Sequence, residues 1–507
     1  MPVDSLLLSR FQETLFRMPD AIAFDFGGVI TSYAQFSKRI QGIRDIIESH
    51  CEDDERVVAV FATQELDTYA AILAILASGR AYVPLNPKAP QERNASCLEQ
   101  AQIRTILAAG RAPSLDDWRE ALGVAVIRSD TLPGSDWSIP AAVGSSDLAY
   151  LLFTSGSTGV PKGVPVYHRN LNAFLHAIID GTDWKVGPDD RVLQMFDLTF
   201  DLSIMCYALP LCVGARCVVP TEGAGGFVGV ATALRRGEVT VALMVPSVLA
   251  FLERYFDEIE LPQLRLSLFC GEALPARLAR AWWARVPQAR LVNVYGPTEA
   301  TIFLSAYELD HESSPDEAYN GVVGIGMPLR GSAFRVVNES LVTVDEGVKG
   351  ELVLLGDQVT TGYWRNPERT AAAFVCLPDG VNGYRSGDLV FRQHDQHHYV
   401  GRADHQIKFD GYRIEAGEIE SKAREILGVR DAVLIPQRGE GRVIGLHLFV
   451  LATEYVSATF AMECRNQLKV LLPSYMVPHK VHLRQSFPLN VNGKIDRNAL
   501  GEELAVQ

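Results

Sequence analysis

The chain has 507 residues, of which 48% are hydrophobic and 21% charged, and its formal net charge is −14. That is ample apolar material for packed cores, and length enough for two to four domains or for one large and one small. The acidic balance, with no basic stripe, argues against a general nucleic-acid binder and is read as solubility.

The opening MPVDSLLLSRFQETLF lacks the basic start and long apolar run of a secretory signal. No apolar stretch approaches the ~18 residues that a membrane span needs. A cytoplasmic protein is therefore expected. The cysteines, Cys51, Cys97, Cys206, Cys212, Cys217, Cys270, Cys376 and Cys464, form no C-x-x-C pair. Mostly buried, reduced thiols are expected rather than a zinc or redox site.

In chain order, RVVAVFA (Arg56–Ala62) is a β-branched run followed by DTYAAILAILASG (Asp67–Gly79), which has helical spacing and a terminal glycine. The run LAYLLF reads as a strand and leads into TSGSTGVPKG (Thr154–Gly163). PTEGAGGFVG (Pro220–Gly229) reads as a glycine-rich loop. TVALMVP with SVLAFLERYF, and LRLSLFCGEAL with PARLARAWWARVP, repeat the strand-then-helix pattern. This alternation predicts an α/β fold with a mostly parallel sheet. After about residue 330 short strand-like runs such as SAFRVVNES and GELVLLGD predict a β-rich subdomain, and the last ~100 residues a small α+β unit.

Two stretches carry chemistry by residue type. In Thr154–Gly163 the small residues let backbone N–H groups approach an anion, the hydroxyls add donors, and Lys162 is a compact cation. A flexible Gly/Ser loop is the plainer alternative. In NVYGPTEATI (Asn293–Ile302) Tyr295 offers a flat face for a base, Pro297 stiffens the turn, and Glu299 is a hard oxygen donor suited to magnesium. A surface carboxylate is the plainer alternative there.

Together with FDLTFDLS, GELVLLGDQVTTGYW, YRSGDLV, GRADHQIKFDGYRIEAGEIE, LPSYMVP and NVNGKID, these stretches resemble, in order, the adenylate-forming ligases. Within them the chain resembles the amino-acid-activating adenylation domains of nonribosomal peptide synthesis. The resemblance implies a large N-terminal core, residues 1–402, and a small mobile C-terminal domain, residues 403–507, that turns about Asp404. It implies ATP and magnesium as cofactors. Thr154, Ser155, Gly156, Ser157, Thr158, Gly159 and Lys162 would hold the β- and γ-phosphates. Gly271, Glu272, Asn293, Tyr295, Gly296, Thr298, Asp388 and Arg402 would line the nucleotide site, with Tyr295 against adenine, Asp388 at the ribose hydroxyls and Arg402 near the ribose and phosphates. Glu299 would bind the metal. Lys494, Glu299 and Thr154 would be catalytic, with Lys494 bridging the substrate carboxylate and the α-phosphate.

By the same resemblance Asp201 would pair with a substrate ammonium, although a helix N-cap is the alternative. Leu202, Met205, Leu243, Leu268, Cys270, Val294, Ile302 and Phe303 would line an apolar side-chain pocket. Cys270 and Met205 resemble the D-alanine–carrier protein ligases, so alanine leads, with glycine, serine, threonine and proline open. The partner would be a separate phosphopantetheinyl carrier protein, since no carrier-domain pattern follows NGKID; the chain would be free-standing or excised from a larger synthetase. An acyl- or aryl-CoA ligase and a catalytically inactive binding homologue are the alternatives. His168 is read as structural, and Asn86 and Ser386 as mild departures that touch none of this chemistry.

Overall fold

The computed structural model describes residues 4–108, 124–128, 136–156, 160–220, 226–310, 318–394, 396–403, 406–453, 459–488 and 495–505. Two large sheets with parallel cores organise the first three hundred residues. In the nine-stranded sheet, Arg191–Leu193, Arg216–Val219, Val241–Met244, Leu266–Phe269 and Arg290–Tyr295 run parallel to their neighbours, and the antiparallel pairings lie toward the edges. In the six-stranded sheet, Val57–Phe61 is flanked by two parallel neighbours, and only Leu148–Thr154 with Lys162–Tyr167 is an antiparallel pair. These strands are apolar along their length because both faces are covered.

The helix Leu66–Ala77 is buried at every residue from Thr68 to Ala77, so it reads as a continuous apolar run rather than an amphipathic one. The Pro220–Gly229 expectation needs correction: a helix begins at Gly226 and runs to Arg236. Val230, Ala233 and Leu234, at i, i+3 and i+4, are buried against the core, and that spacing prevails over the glycines before it. Residues 221–225 lie outside the described residues.

From Ser332 to Arg402 five antiparallel strands form the expected β-rich part, with a core of their own that includes Leu352, Leu354 and Tyr384. From residue 406 onward the chain forms a short hairpin, Gln406–Phe409 with Tyr412–Glu415, then the helix Ala416–Arg424 and a three-stranded sheet. A separate apolar cluster from Ile407 to Val481 holds this C-terminal segment together. Asp410 and Gly411, both at positive φ (+49° and +81°), are the two central residues of the hairpin turn.

Candidate active site

Ends of neighbouring parallel strands converge on one crevice. Val241–Met244 leads to Val245, Leu266–Phe269 to Cys270–Glu272, and Arg290–Tyr295 to Gly296–Ala300. Ligands of open parallel sheets gather at such carboxyl ends. Gly296 has to be glycine, because a Cβ there would lie 2.4 Å from the Phe303 Cα.

Asp201 is buried at the head of the helix Leu202–Val213, but its side chain makes no capping hydrogen bond and its backbone is helical. The N-cap reading therefore fails. The Thr298 hydroxyl and the Leu202 and Ile302 N–H groups are near enough to favour its ionised form, against the burial. Thr301 and Ile302 adopt φ of +54° and +76° beside it, costly for β-branched residues. Oδ2 is buried with no hydrogen-bond partner in the structure. Burial pushes the Asp201 carboxyl up to about 6, with the Thr298 hydroxyl working against it. The cavity beside it, about 60 Å³, is lined by Phe200, Leu202, Cys270, Thr298 and Arg413 among others.

On the phosphate side, Thr154 and Lys162 face each other as the last paired residues of an antiparallel hairpin. Lys162 thus sits on a strand rather than in the loop. The Thr154 Oγ1 is buried without a partner. Lys162 Nζ lies 3.3 Å from the Glu299 carboxylate and donates to the Tyr363 hydroxyl. Glu299 is fully buried. Arg413, from the C-terminal hairpin, donates to its Oε2 at 2.7 Å, and the Tyr363 hydroxyl donates to its Oε1 at 2.7 Å. Burial alone would raise the Glu299 carboxyl, but the Arg413 and Lys162 charges outweigh it and hold the group well below the usual carboxylate range. Burial and the nearby Arg413 bring Lys162 down to about 8.

At the nucleotide end, a cavity is lined by Gly271, Asn293, Tyr295, Ile325, Arg402 and Lys408 among others. Asp388 receives the Tyr295 hydroxyl on Oδ2 and Arg402 on Oδ1. Ser386 departs from the expectation that it touches none of this chemistry: its hydroxyl donates to the Leu352 carbonyl and accepts from the Asp388 N–H, which anchors the backbone of that residue. The Lys408 ammonium stands 5.2 Å over the Tyr295 ring, on the flat surface expected to meet a base. Glu272 accepts from the N–H of Ser247 and of Gly411, and burial raises its carboxyl to about 7.

The structure thus gathers Thr154, Ser155, Gly156, Lys162, Asp201, Leu202, Cys270, Gly271, Glu272, Asn293, Tyr295, Gly296, Thr298, Glu299, Asp388 and Arg402 around one crevice. Ser157, Thr158, Gly159, Asp404 and Lys494 lie outside the described residues. Val294 lines the nucleotide cavity. Met205, Leu243, Leu268, Ile302 and Phe303 are buried in the main core but do not line the cavity beside Asp201. Phe303 packs edge-on against Phe174, 5.0 Å between ring centres. Cys270 is buried and its thiol is pushed up to about 12 by burial, the state of an inert thiol rather than a nucleophile. His168 is buried at a helix start and held down to about 4 by burial, as a structural histidine would be.

Sequence reasoning missed Tyr363, Lys408 and Arg413. Lys408 and Arg413 are cross-strand partners and so share one face of the hairpin. The Asp-Gly dipeptide between them was the available signal, because Asp-Gly marks a two-residue turn that pairs these positions.

The chain is similar to known proteins along most of its length. The AMP-binding enzyme family matches residues 11–364. A D-alanine–D-alanyl carrier protein ligase of Streptococcus equi subsp. equi (strain 4047) is 32% identical over 497 residues, which cover 96% of each chain. Tyrocidine synthase 3 of Brevibacillus parabrevis is 33% identical over 98% of this chain, which spans only 8% of that protein. Among solved structures, the Vibrio cholerae adenylation domain AlmE in complex with glycyl-adenosine-5'-phosphate superposes with a TM-score of 0.85 at 26% identity, covering 100% of this chain and 99% of the other.

Proposed function

This chain belongs to the AMP-binding enzymes, and from that premise we propose that it activates a small or aliphatic amino acid with ATP, forming an aminoacyl-AMP. Alanine is the lead substrate, with glycine, serine, threonine and proline behind it. The acyl group then passes to the phosphopantetheine thiol of a separate carrier protein. The single observation that carries the reading is the buried, partnerless Oδ2 of Asp201 beside a small cavity. A substrate ammonium supplies the counter-charge that burial denies this carboxylate. Leu202 and Cys270 offer the side chain an apolar wall. The D-alanine–D-alanyl carrier protein ligase and the glycyl-adenylate complex among the relatives support a small amino acid.

In the first half-reaction, the substrate carboxylate oxygen attacks the α-phosphorus and pyrophosphate leaves. In the second, the thiol attacks the acyl carbon and AMP leaves. Asp388 and Arg402 hold the ribose, Tyr295 the base, and Thr154 with its loop the leaving pyrophosphate. Lys494 neutralises the approaching anions, an effect worth two or more powers of ten in rate, or roughly 3 kcal/mol. Glu299, buried and ionised, has the donor chemistry that magnesium takes, so these residues fit the ion. Bound there, magnesium would offset phosphate charge. The division at residues 402 and 403, with Asp404 as hinge, accords with the separate apolar cluster beyond residue 406.

Pyrophosphate exchange across both enantiomers of the amino acids tests the proposal. Exchange strongest with alanine or another small residue is expected. Exchange with simple carboxylic acids but with no amino acid would refute it.

A further inference from the structure

One stretch of chain, from Thr360 to Arg369, runs along the phosphate hairpin in antiparallel order. At its start the Thr360 hydroxyl donates to the Pro165 carbonyl, and its N–H to the Glu299 carbonyl. The Trp364 N–H then donates to the Gly163 carbonyl at 2.8 Å, and Lys162 donates to the Tyr363 hydroxyl. Trp364 fits because Gly163 has no side chain: a Cβ there would lie 3.0 Å from the Trp364 Cβ. Asn366 caps the short helix Pro367–Ala373 by accepting from the Arg369 N–H, and the Thr370 hydroxyl donates back to the Asn366 carbonyl. The track ends at the loop itself. Arg369 Nη1 lies 2.8 Å from where a Cβ on Gly156 would stand, so the guanidinium rests on the bare face of that glycine. Thr360, Trp364 and Arg369 thus meet Pro165, Gly163 and Gly156 in turn, and this register delivers a planar cation to the phosphate loop.

We propose that Arg369 binds the terminal phosphates of ATP, and the pyrophosphate that leaves, over the open face of Gly156. The inference rests on the adenylating function proposed above and adds a ligand group that lies beyond the sequence motifs. Lys162, the cation those motifs supply, is buried and turned to Glu299 at 3.3 Å. A guanidinium suits the outer phosphates. It stays charged at every working pH and offers parallel N–H groups to neighbouring phosphate oxygens. Arg369 is half-buried, so its head can meet an anion without first stranding a fully desolvated charge. Gly156 is required for the same reason: a Cβ there would displace the guanidinium and run into the Val160 carbonyl oxygen. Arg369 touches only the β- and γ-phosphates, and so it separates ligands that carry them from AMP.

The test titrates the full chain calorimetrically with magnesium ATP, magnesium pyrophosphate and AMP. Arg369→Ala is expected to bind ATP and pyrophosphate about tenfold more weakly, the loss of charge-assisted hydrogen bonds, and AMP within about twofold of wild type. Arg369→Lys should recover part of the loss, since it keeps the charge without the fork. Unchanged affinity for ATP and pyrophosphate in Arg369→Ala overturns the proposal. An equal loss for AMP overturns it too, because Arg369 would then only prop the loop. A second measurement needs no variant. Phenylglyoxal modifies accessible arginines of the wild type, and peptide mapping reads Arg369. Magnesium pyrophosphate is expected to protect it, and AMP is not. Modification of Arg369 at an unchanged rate under saturating magnesium pyrophosphate overturns the proposal even where the alanine variant does not fold. Failure of the functional reading is seen separately, as absence of amino-acid-dependent pyrophosphate exchange in a wild type whose Arg369 is protected.

Discussion

Two buried carboxylates stand on either side of the same crevice, and their surroundings are opposite. Asp201 keeps one oxygen without a partner, and burial raises its carboxyl to about 6. Glu299 is bound by Arg413, Lys162 and Tyr363, and its carboxyl is held far down. Desolvation acts on both, and the charged neighbours of Glu299 are the main difference between them. The difference separates a carboxylate left open on one oxygen from one that the chain's own Lys162 and Arg413 hold ionised.

The largest expected effect comes from removing the compensated side. Glu299→Ala leaves Lys162 and Arg413 buried without their counter-charge, and should lower stability by about 3–5 kcal/mol in denaturant unfolding. A loss below about 1 kcal/mol would mean that the three-residue cluster is better hydrated than its burial indicates.

The uncompensated side should show in pH dependence. A substrate ammonium needs Asp201 ionised, so apparent affinity for the amino acid should fall about tenfold per unit as pH drops below about 6, and level off above it. KM measured across that range checks this, and a flat profile would show that Asp201 does not meet the amine.

Ser386→Ala removes the hydroxyl that anchors the Asp388 backbone, at a cost of about 1 kcal/mol, or about fivefold in apparent ATP affinity. Amino acid affinity should not move with it. The smallest effect is expected from mild alkylation. Cys376 is exposed and should react, Cys270 should not, and activity should survive; peptide mapping separates the two.

Much of this was legible in the chain. The strand at Val57–Phe61 and the helix at Leu66–Ala77 follow from β-branched and apolar runs that belong to local physics. Asp201, Glu299 and Asp388 were each reached through short ordered motifs. Met205, Leu243 and Phe303 show the limit, because an apolar residue in a core strand or helix carries no mark that tells a pocket wall from packing. Gly226–Arg236 shows another, where a run of glycines masked the start of a helix. Arg413 and Lys408 lie beyond local reading for a different reason. Their shared face follows from the Asp-Gly turn, but what that face meets depends on how a distant segment docks. Ser386 was passed over because its effect is transmitted through one hydrogen bond to a neighbour.

The most direct measurement compares alanine with propanoate, its counterpart without the amine, in pyrophosphate exchange by the wild type and by Asp201→Asn. The wild type should favour alanine by about two powers of ten, near 3 kcal/mol, and the variant should lose most of that preference. An unchanged preference in Asp201→Asn would contradict the assignment of Asp201 to the substrate ammonium.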